Sequence, residues 1–287
     1  MDKNIRPAIV LFFVLSFWMS CLSIAEEKKE PEQALNDFSL VEYKNTSEKD
    51  WKVNGKTADL KEDEIKINDV SLVAFGEAGT PELKLKAGTG DFNKNNQMVH
   101  LENNVVAKMT DGTVLKSDSL YWDTRTRNIF TEDDIIVRKT DLFDVTGKGA
   151  VCNLEDKVAK VKKDVTATIT ASTPAYIENK NPILSNKNGK RTATIITCDG
   201  PLELNYKKNK ASFLNNVKVE DIEGNIFADR IDVYYNPTTR RVRCVVARGN
   251  VRIVNGENVT YSDKAIYLVD EGKVILPKRP RLVIQNN

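Results

Sequence analysis

The sequence has few of the residues on which most enzyme mechanisms depend. Its 287 residues include one histidine and four cysteines, and aromatic residues make up only 7%. The single histidine, His100, excludes a zinc site with several imidazoles and the HExxH motif. His100 lies in an alternating run with no nucleophile motif nearby, which argues against a catalytic triad. We therefore predict no catalytic residue, no metal site, no cofactor and no enzyme activity.

The charge balance and the cysteine content exclude further kinds of binding site. Lys and Arg number 43 against 41 Asp and Glu, so the chain has no strong attraction to nucleic acid and we predict no such partner. Beyond Cys21 the cysteines are Cys152, Cys198 and Cys244, an odd number with long spacings. This pattern fits neither a disulfide framework nor a CxxC metal site, and we predict that these are buried small apolar side chains.

One long apolar segment lies at the N-terminus, where residues 7–25 carry no charge. Three interpretations stay open. The length suits one membrane-spanning helix, the small residues at 23–25 suit a cleaved signal peptide, and Cys21 would be the lipidated residue of a lipoprotein. All three export the chain across the inner membrane. We favour the first interpretation, in which residues 1–25 contain a hydrophobic helix that anchors the chain in the membrane and a charged linker follows over residues 26–37.

From residue 38 onward, apolar and polar residues alternate, which is typical of half-buried strands. Val217 and Val219, for example, alternate with Lys218 and Glu220. Turn dipeptides such as Asn255-Gly256 separate the alternating runs at short intervals. No stretch after residue 38 shows a sustained helical period. The sequence therefore predicts an all-β chain.

Two short elements recur along the chain, and they indicate a stacked architecture. The first places an acidic residue or Asn before Val or Ile, at Asn104-Val105, Asp134-Ile135, Asp164-Val165, Asn216-Val217 and Asn250-Val251. The second resembles Ser-Asp-x-Leu-x-Trp-Asp, at residues 117–123, 147–153, 198–205, 228–236 and 262–270. A unit of about three short strands is too small to bury a face alone, so stacked units with one continuous interior are expected.

A segment rich in Asn, Lys, Pro, Ser and Thr interrupts the repeat at residues 171–191. Such a composition is typical of a loop or linker. We therefore predict two β modules, at residues 38–169 and 193–287, with a linker or loop at 170–192.

The inward positions of the alternating runs hold mostly aliphatic side chains of medium size. An interior of this kind can accept acyl chains between its walls, because burial of one methylene is worth about 0.8 kcal/mol. Alternatively these side chains pack only against each other, and periodicity alone does not separate the two hypotheses. The residues predicted to line a lipid-binding groove are Val105, Ala107, Leu120, Trp122, Ile135, Val137, Val151, Phe213, Val217, Val219, Ile231, Val233, Val251, Ile253, Ile266 and Leu268.

Several sequence phrases resemble two families of lipopolysaccharide export proteins. The first module resembles LptC in Phe38-Ser-Leu-Val-Glu-Tyr, in Trp51-Lys-Val-Asn-Gly-Lys-Thr-Ala and in Leu115-Lys-Ser-Asp-Ser-Leu-Tyr-Trp-Asp. The second module resembles the LptA or OstA-like domain in Phe213-Leu-Asn-Asn-Val-Lys-Val and in Ala247-Arg-Gly-Asn-Val. The departure from the usual pattern is the fusion, since LptC and LptA are commonly separate chains.

This resemblance implies elongated, twisted antiparallel β-jellyroll modules, or β-tacos, that shelter the acyl chains of lipid A while the sugars stay outside. The implied partners are lipopolysaccharide, an inner-membrane ABC transporter complex, and LptA-like or LptD-like jellyroll domains joined by their edge strands. The implied location is the periplasm, with the N-terminal segment as a tether to the inner membrane. Two alternatives stay open: a ligand-free structural scaffold of the envelope, and a β-solenoid carbohydrate-active enzyme, although no acidic cluster or sugar-stacking aromatic group favours the latter.

Overall fold

The computed structural model describes residues 33–44, 47–76, 79–140, 142–170, 193–221, 224–239 and 241–283. These residues form 17 β-strands, and none of them lies in an α-helix. The predicted N-terminal segment, including Cys21, and nearly all of the predicted linker at 170–192 lie outside the described residues. The strands are β1 Gln33–Tyr43, β2 Lys49–Leu60, β3 Glu64–Phe75, β4 Pro81–Asn93, β5 Met98–Met109, β6 Val114–Asp123, β7 Asn128–Lys139, β8 Phe143–Asn153, β9 Val158–Thr170, β10 Ala193–Cys198, β11 Leu202–Asn205, β12 Lys210–Asp221, β13 Gly224–Tyr235, β14 Val242–Asn255, β15 Asn258–Leu268, β16 Lys273–Ile275 and β17 Arg281–Val283.

Within the ranges described, no helix is both long enough and apolar enough to cross a membrane.

The strands form one antiparallel sheet in which most strands pair with their neighbours along the chain. From β1 to β9 the order is a simple meander. The other edge of β9 pairs with both β10 and β11, which in turn pair with β12. The meander then continues to β15, which pairs with β16 and β17. The predicted all-β fold of antiparallel jellyroll type is confirmed.

Most long strands bend near their middle, and the first repeat element lies at the bend. The pairing register shifts just before Val105, Val217 and Val251. The preceding Asn104 and Asn216 have φ angles of 61° and 50°, a left-handed conformation that Asn tolerates better than most residues. The three valines that follow are 0–1% exposed. The repeat therefore records the position at which each strand folds over.

The same geometry occurs at two sites that the sequence analysis missed. Asp37 and Asp69 have φ angles of 52° and 54°, and the residues that follow them, Phe38 and Val70, are buried. With these two, the element falls on β1, β3, β5, β7, β9, β12 and β14. The second repeat element falls on β6, β8, β10–β11, β13 and β15, and at Gly147 of β8 the absence of a side chain leaves room for the neighbouring strand. An added Cβ at Gly147 would lie 2.5 Å from the Val161 side chain.

The bends divide the sheet into two walls whose inner faces are apolar. We call the turns after β1, β3, β5, β7 and β14 the first rim. The first wall consists of the strand halves that reach this rim, together with β10 and the halves of β9, β12 and β13 that pair in register with them. The turns after β2, β4, β6, β8, β11 and β13 form the second rim, and the remaining strand halves form the second wall. In β5, for example, residues 98–102 belong to the second wall and residues 105–109 to the first. The structure therefore places one row of bends along the closed side and two rims along the other.

Two hydrophobic clusters fill the space between the walls. The first cluster contains buried residues from Phe38 to Leu154. The second contains buried residues from Ile135 to Ala265, so it includes side chains of β7, β8 and β9 as well as those of β10 to β15. The second cluster is thus shared between the two predicted modules, because the last strands of the first module pack against the second.

Candidate functional site

The interior between the walls contains most of the residues predicted to line a groove. Three of them, Val137, Val219 and Ile253, are half-buried and pack against the second cluster. Ten are fully buried, namely Val105, Ala107, Leu120, Trp122, Ile135, Phe213, Val217, Ile231, Val233 and Val251. The structure therefore brings thirteen of the predicted side chains to the inner faces of the sheet.

The structure corrects the facing of Ile266 and Leu268. Ala265 pairs with Ala247, and both are buried in the second cluster. Ile266 pairs with Val246, which lies between inward residues of β14. Directly paired residues point to the same side of a sheet and successive residues to opposite sides, so Ile266 and Leu268 lie on the outer face. The bend in this pair of strands shifts the register by one position, and such a shift inverts every assignment that follows.

Val151 also lies on the outer face, contrary to the prediction. Its neighbour Cys152 pairs with the buried Ile129 and packs against the first cluster. Val151 itself pairs with Phe130, whose ring stacks on the partly exposed Tyr121 at 5.3 Å. Phe130 and Tyr121 lie on the outer face, and Val151 lies on the same face because it pairs directly with Phe130.

The interior is a packed apolar core in which the walls touch. Trp51 of the first wall makes edge-to-face contacts with Phe92 and Trp122 of the second wall, at 5.5 and 6.2 Å between ring centroids. Leu72 and Leu101, also from opposite walls, are 0% exposed. A cavity of about 10 Å³ beside Trp51 and Phe92 has room for about one water molecule. A lipid chain would therefore have to part the walls.

The outer face carries an ionic cluster centred on Asp232, which the sequence analysis did not find. The Asp232 side chain is 0% exposed, and its carboxylate accepts hydrogen bonds from Ser212 at 2.7 Å and from Arg230 at 2.9 Å. Lys210 lies 3.1 Å away and Arg248 forms a further ion pair. Burial acts to raise the pKa of Asp232, but the hydrogen bonds from Ser212, Lys210 and Arg230 outweigh it and hold the pKa below its ordinary value. The alternation Arg230-Ile-Asp232 places both charged residues on one face of β13, and this pattern could have indicated the ion pair.

One group of side chains on the outer face could supply three ligands to a metal ion. The ligand atoms of Asp91, His100 and Glu102 lie within 4.8 Å of one another. The imidazole of His100 stacks on Tyr121 at 4.2 Å, and its Nε2 lies 3.7 Å from Glu102. A stacked imidazole beside a carboxylate is a common surface pair, and the group gives no independent indication of a ligand.

The cysteines differ in burial. Cys198 is buried in the second cluster, whereas Cys152 and Cys244 are half-buried, and all three are free thiols. Burial and, to a smaller extent, the charge of Glu82 raise the pKa of Cys152 to about 11. Glu82 belongs to the first wall and Cys152 to the second, so this effect acts across the interior.

A single antiparallel sheet folded around a buried apolar interior defines the class: an all-β protein of jellyroll type. The family model LptC, described as lipopolysaccharide-assembly, LptC-related, matches residues 8–170. It covers more than half of the chain, and the chain belongs to this family. The model LptD_N, described as LptA/(LptD N-terminal domain) LPS transport protein, matches residues 199–287. The chain is therefore an LptC-like domain fused to an LptA-like domain, as predicted.

These matches give the chain a role in lipopolysaccharide transport and place it among the periplasmic components of the envelope transport system. Both families consist of transport components rather than enzymes. Among solved structures, LptH of Pseudomonas aeruginosa, described as the LptA homologous periplasmic component of the lipopolysaccharide transport device, is 12% identical. It covers 71% of this chain and 95% of its own, with a TM-score of 0.23. No curated protein matches the chain.

Proposed function

We propose that this chain is a non-enzymatic segment of the lipopolysaccharide bridge, and that its interior shelters lipid A acyl chains between the inner and outer membranes. In this proposal the sugars stay outside the walls, and the N-terminal segment tethers the chain to the inner membrane. The chemical reason is the free energy of exposing acyl chains to water, about 0.8 kcal/mol for each methylene. The two apolar clusters between the walls would offset that cost.

The observation that carries the proposal is the junction at β9. Residues 165–170 of β9 pair with β10, and residues 158–161 pair with β11. The last strand of the LptC-like domain therefore joins the LptA-like domain along both walls. Val165 of β9 and Ile196 of β10 belong to the same buried cluster. The apolar interior therefore continues across the junction between the two domains.

The same mode of joining supports the proposed partners. Among the described strands, β1 pairs only with β2, so its other edge is available. At the opposite end of the sheet, β16 and β17 each pair with β15. Unpaired strand edges hold free backbone donors and acceptors that another strand can use. We propose that the β1 edge faces an inner-membrane ABC transporter complex and that the opposite end joins an LptA-like or LptD-like domain.

A second candidate function is a ligand-free scaffold of the envelope. The packed interior, with Trp51 and Trp122 in contact across the walls, is the observation that favours it. The two candidates differ in one respect, namely whether the inner faces ever contact lipid. The closed walls are compatible with carriage only if they separate when a chain enters.

Site-specific photo-crosslinking in cells separates these candidates. A photoreactive residue replaces Val217, which is 1% exposed and faces inward, and in a second strain replaces Lys218, which faces outward and pairs with Glu220 at 2.6 Å. Lipopolysaccharide adducts are expected at position 217 and not at 218. Export and folding are checked by protease resistance of each variant. Adducts at neither position, with both variants folded, would contradict lipid carriage and favour the ligand-free scaffold.

A further inference from the structure

Arg127 joins the two rims across the mouth of the first cluster. It lies in the turn after β6, on the second rim. Its Nη1 donates to Asp50 Oδ1 at 2.6 Å, and its Nη2 donates to the Phe75 carbonyl at 3.1 Å and to Glu82 Oε2 at 3.3 Å. Asp50, Phe75 and Glu82 lie at the ends of β2, β3 and β4 that meet the first rim. We call these four residues the Arg127 clasp.

An aromatic group lies beneath the clasp. Trp51 follows Asp50 in β2 and contacts Phe92 and Trp122 on the second wall. The small cavity described above lies beside Trp51 and Phe92. The packing beside Trp51 therefore leaves a gap of about the size of one water molecule.

Trp122 carries a buried donor without an acceptor. Its side chain is 0% exposed, and within the described part of the chain its Nε1 is the buried side-chain polar atom that lacks a hydrogen-bond partner. Burying an N–H without an acceptor lowers the stability of the folded state, and native structures satisfy most such groups. In the closed structure the described part of the chain therefore supplies no acceptor for this donor.

We propose that the mouth under the Arg127 clasp is a lateral opening for an acyl chain, and that Trp122 Nε1 donates to the ester or amide carbonyl of that chain. This inference rests on the proposed function. A carbonyl marks the point at which an apolar chain meets its polar head, and Trp122 lies near the rim where that point would sit. The side chains of Arg127, Asp50 and Glu82 are 16–28% exposed, so water can replace their hydrogen bonds and the rims can part without loss of the strand pairing.

The half-buried thiol of Cys152 provides a test of the opening that needs no lipid. Cys152 lies beneath the clasp on the second wall, close enough for the charge of Glu82 to affect its pKa. Maleimide labelling of the full chain, read by mass spectrometry of each cysteine peptide, measures how often the mouth opens. In Arg127→Gln we expect Cys152 to react about tenfold faster than in the unmodified chain, since reaction through a local opening follows the open fraction.

Two controls make this result specific. Arg138→Gln removes a guanidinium that pairs with Asp144 at 2.6 Å within one wall, and it should leave the Cys152 rate unchanged. Cys198 is buried in the second cluster and reports general unfolding, so its rate should stay constant in both variants. Equal Cys152 rates in Arg127→Gln and the unmodified chain would overturn the clasp. Parallel acceleration of Cys198 would show unfolding rather than opening, and would overturn it too.

The carbonyl contact is tested by Trp122→Phe with two dye-linked probes, one carrying a dodecanoyl amide and one a dodecyl thioether. The substitution should lower the affinity for the amide probe about three- to tenfold, the usual range for one hydrogen bond. The affinity for the thioether probe should not change. Equal weakening of both probes would show lost packing and would overturn the carbonyl contact. If neither probe binds to any variant while Arg127→Gln still exposes Cys152, the result contradicts the proposed function and the ligand assignment. The role of the Arg127 clasp in closing the rims would still hold.

Discussion

Asp232 in β13 pairs with the guanidinium of Arg248 in β14 on the outer face of the sheet. The same carboxylate also binds Ser212 and Lys210 of β12. One buried anion therefore ties three consecutive strands of the LptA-like domain together on the side opposite the interior. Its removal would leave three cationic side chains facing each other, since Arg230 also pairs with it.

Asp232→Asn should destabilise the protein strongly for this reason. Removing one member of a buried ionic network costs about 3–5 kcal/mol, because the other charges are left without compensation. Urea unfolding of the full chain measures the loss. Asp144→Asn is the matched control, because the Arg138–Asp144 pair is largely exposed and such pairs contribute at most about 1 kcal/mol. Equal losses in the two variants would contradict a special role for Asp232.

The same cluster predicts a dependence of stability on pH. The pKa of Asp232 in the folded chain lies below its ordinary value of 3.8. A carboxyl group with a lowered folded pKa adds stability that is fully present above the unfolded pKa and is lost as pH falls through the folded pKa. The difference in unfolding free energy between the unmodified chain and Asp232→Asn should therefore stay constant from neutral pH to about pH 5 and shrink below about pH 4. A difference that grows on acidification would contradict the assignment.

The bends predict a sharp contrast between two substitutions at one position. Asn104 has a φ of 61° and directly precedes the buried Val105. Asn104→Gly should be nearly neutral, whereas Asn104→Val should cost about 1–3 kcal/mol, because a β-branched side chain is strained at positive φ. Thermal unfolding of both variants checks the order. Similar stability of the two would mean that the bend does not require the left-handed conformation.

Sharing of the second cluster predicts coupling between the two domains. Val165 belongs to the LptC-like match but is 1% exposed within the second cluster. Val165→Ala should cost about 2 kcal/mol and should reduce hydrogen-exchange protection in β10 and β12. Thr166→Ala, on the exposed outer face, should change neither by more than about 0.5 kcal/mol. Loss of protection confined to β1–β6 would contradict the shared core.

Much of this architecture could be predicted from residue patterns, because alternation and the Asn-Val repeat are local. The pair Asp69-Val70 fits the same repeat and could have been found with it, whereas Asp37-Phe38 has Phe in place of Val or Ile. The side of the sheet to which Ile266 points could not be predicted from the sequence, because it depends on a register shift between two strands at the bend.

Contacts between residues far apart in the chain also could not be predicted from the sequence. Arg127 and Asp50 are separated by 77 positions, and only the folding of the sheet brings the two rims together. Nothing in the residues around position 127 indicates a carboxylate partner. Likewise, the missing acceptor of Trp122 is a property of its packed surroundings, which alternation does not specify.

The two tryptophans of the first cluster give the last prediction. Trp51 and Trp122 are 4% and 0% exposed and touch each other, so replacement of either by Phe removes a similar volume from the core. Trp122→Phe also removes a buried N–H without an acceptor, which relieves about 1–3 kcal/mol. The unfolding free energy should therefore fall less in Trp122→Phe than in Trp51→Phe, by about that amount. Urea unfolding of both variants checks this, and a larger loss in Trp122→Phe would show that its Nε1 is satisfied in the folded protein.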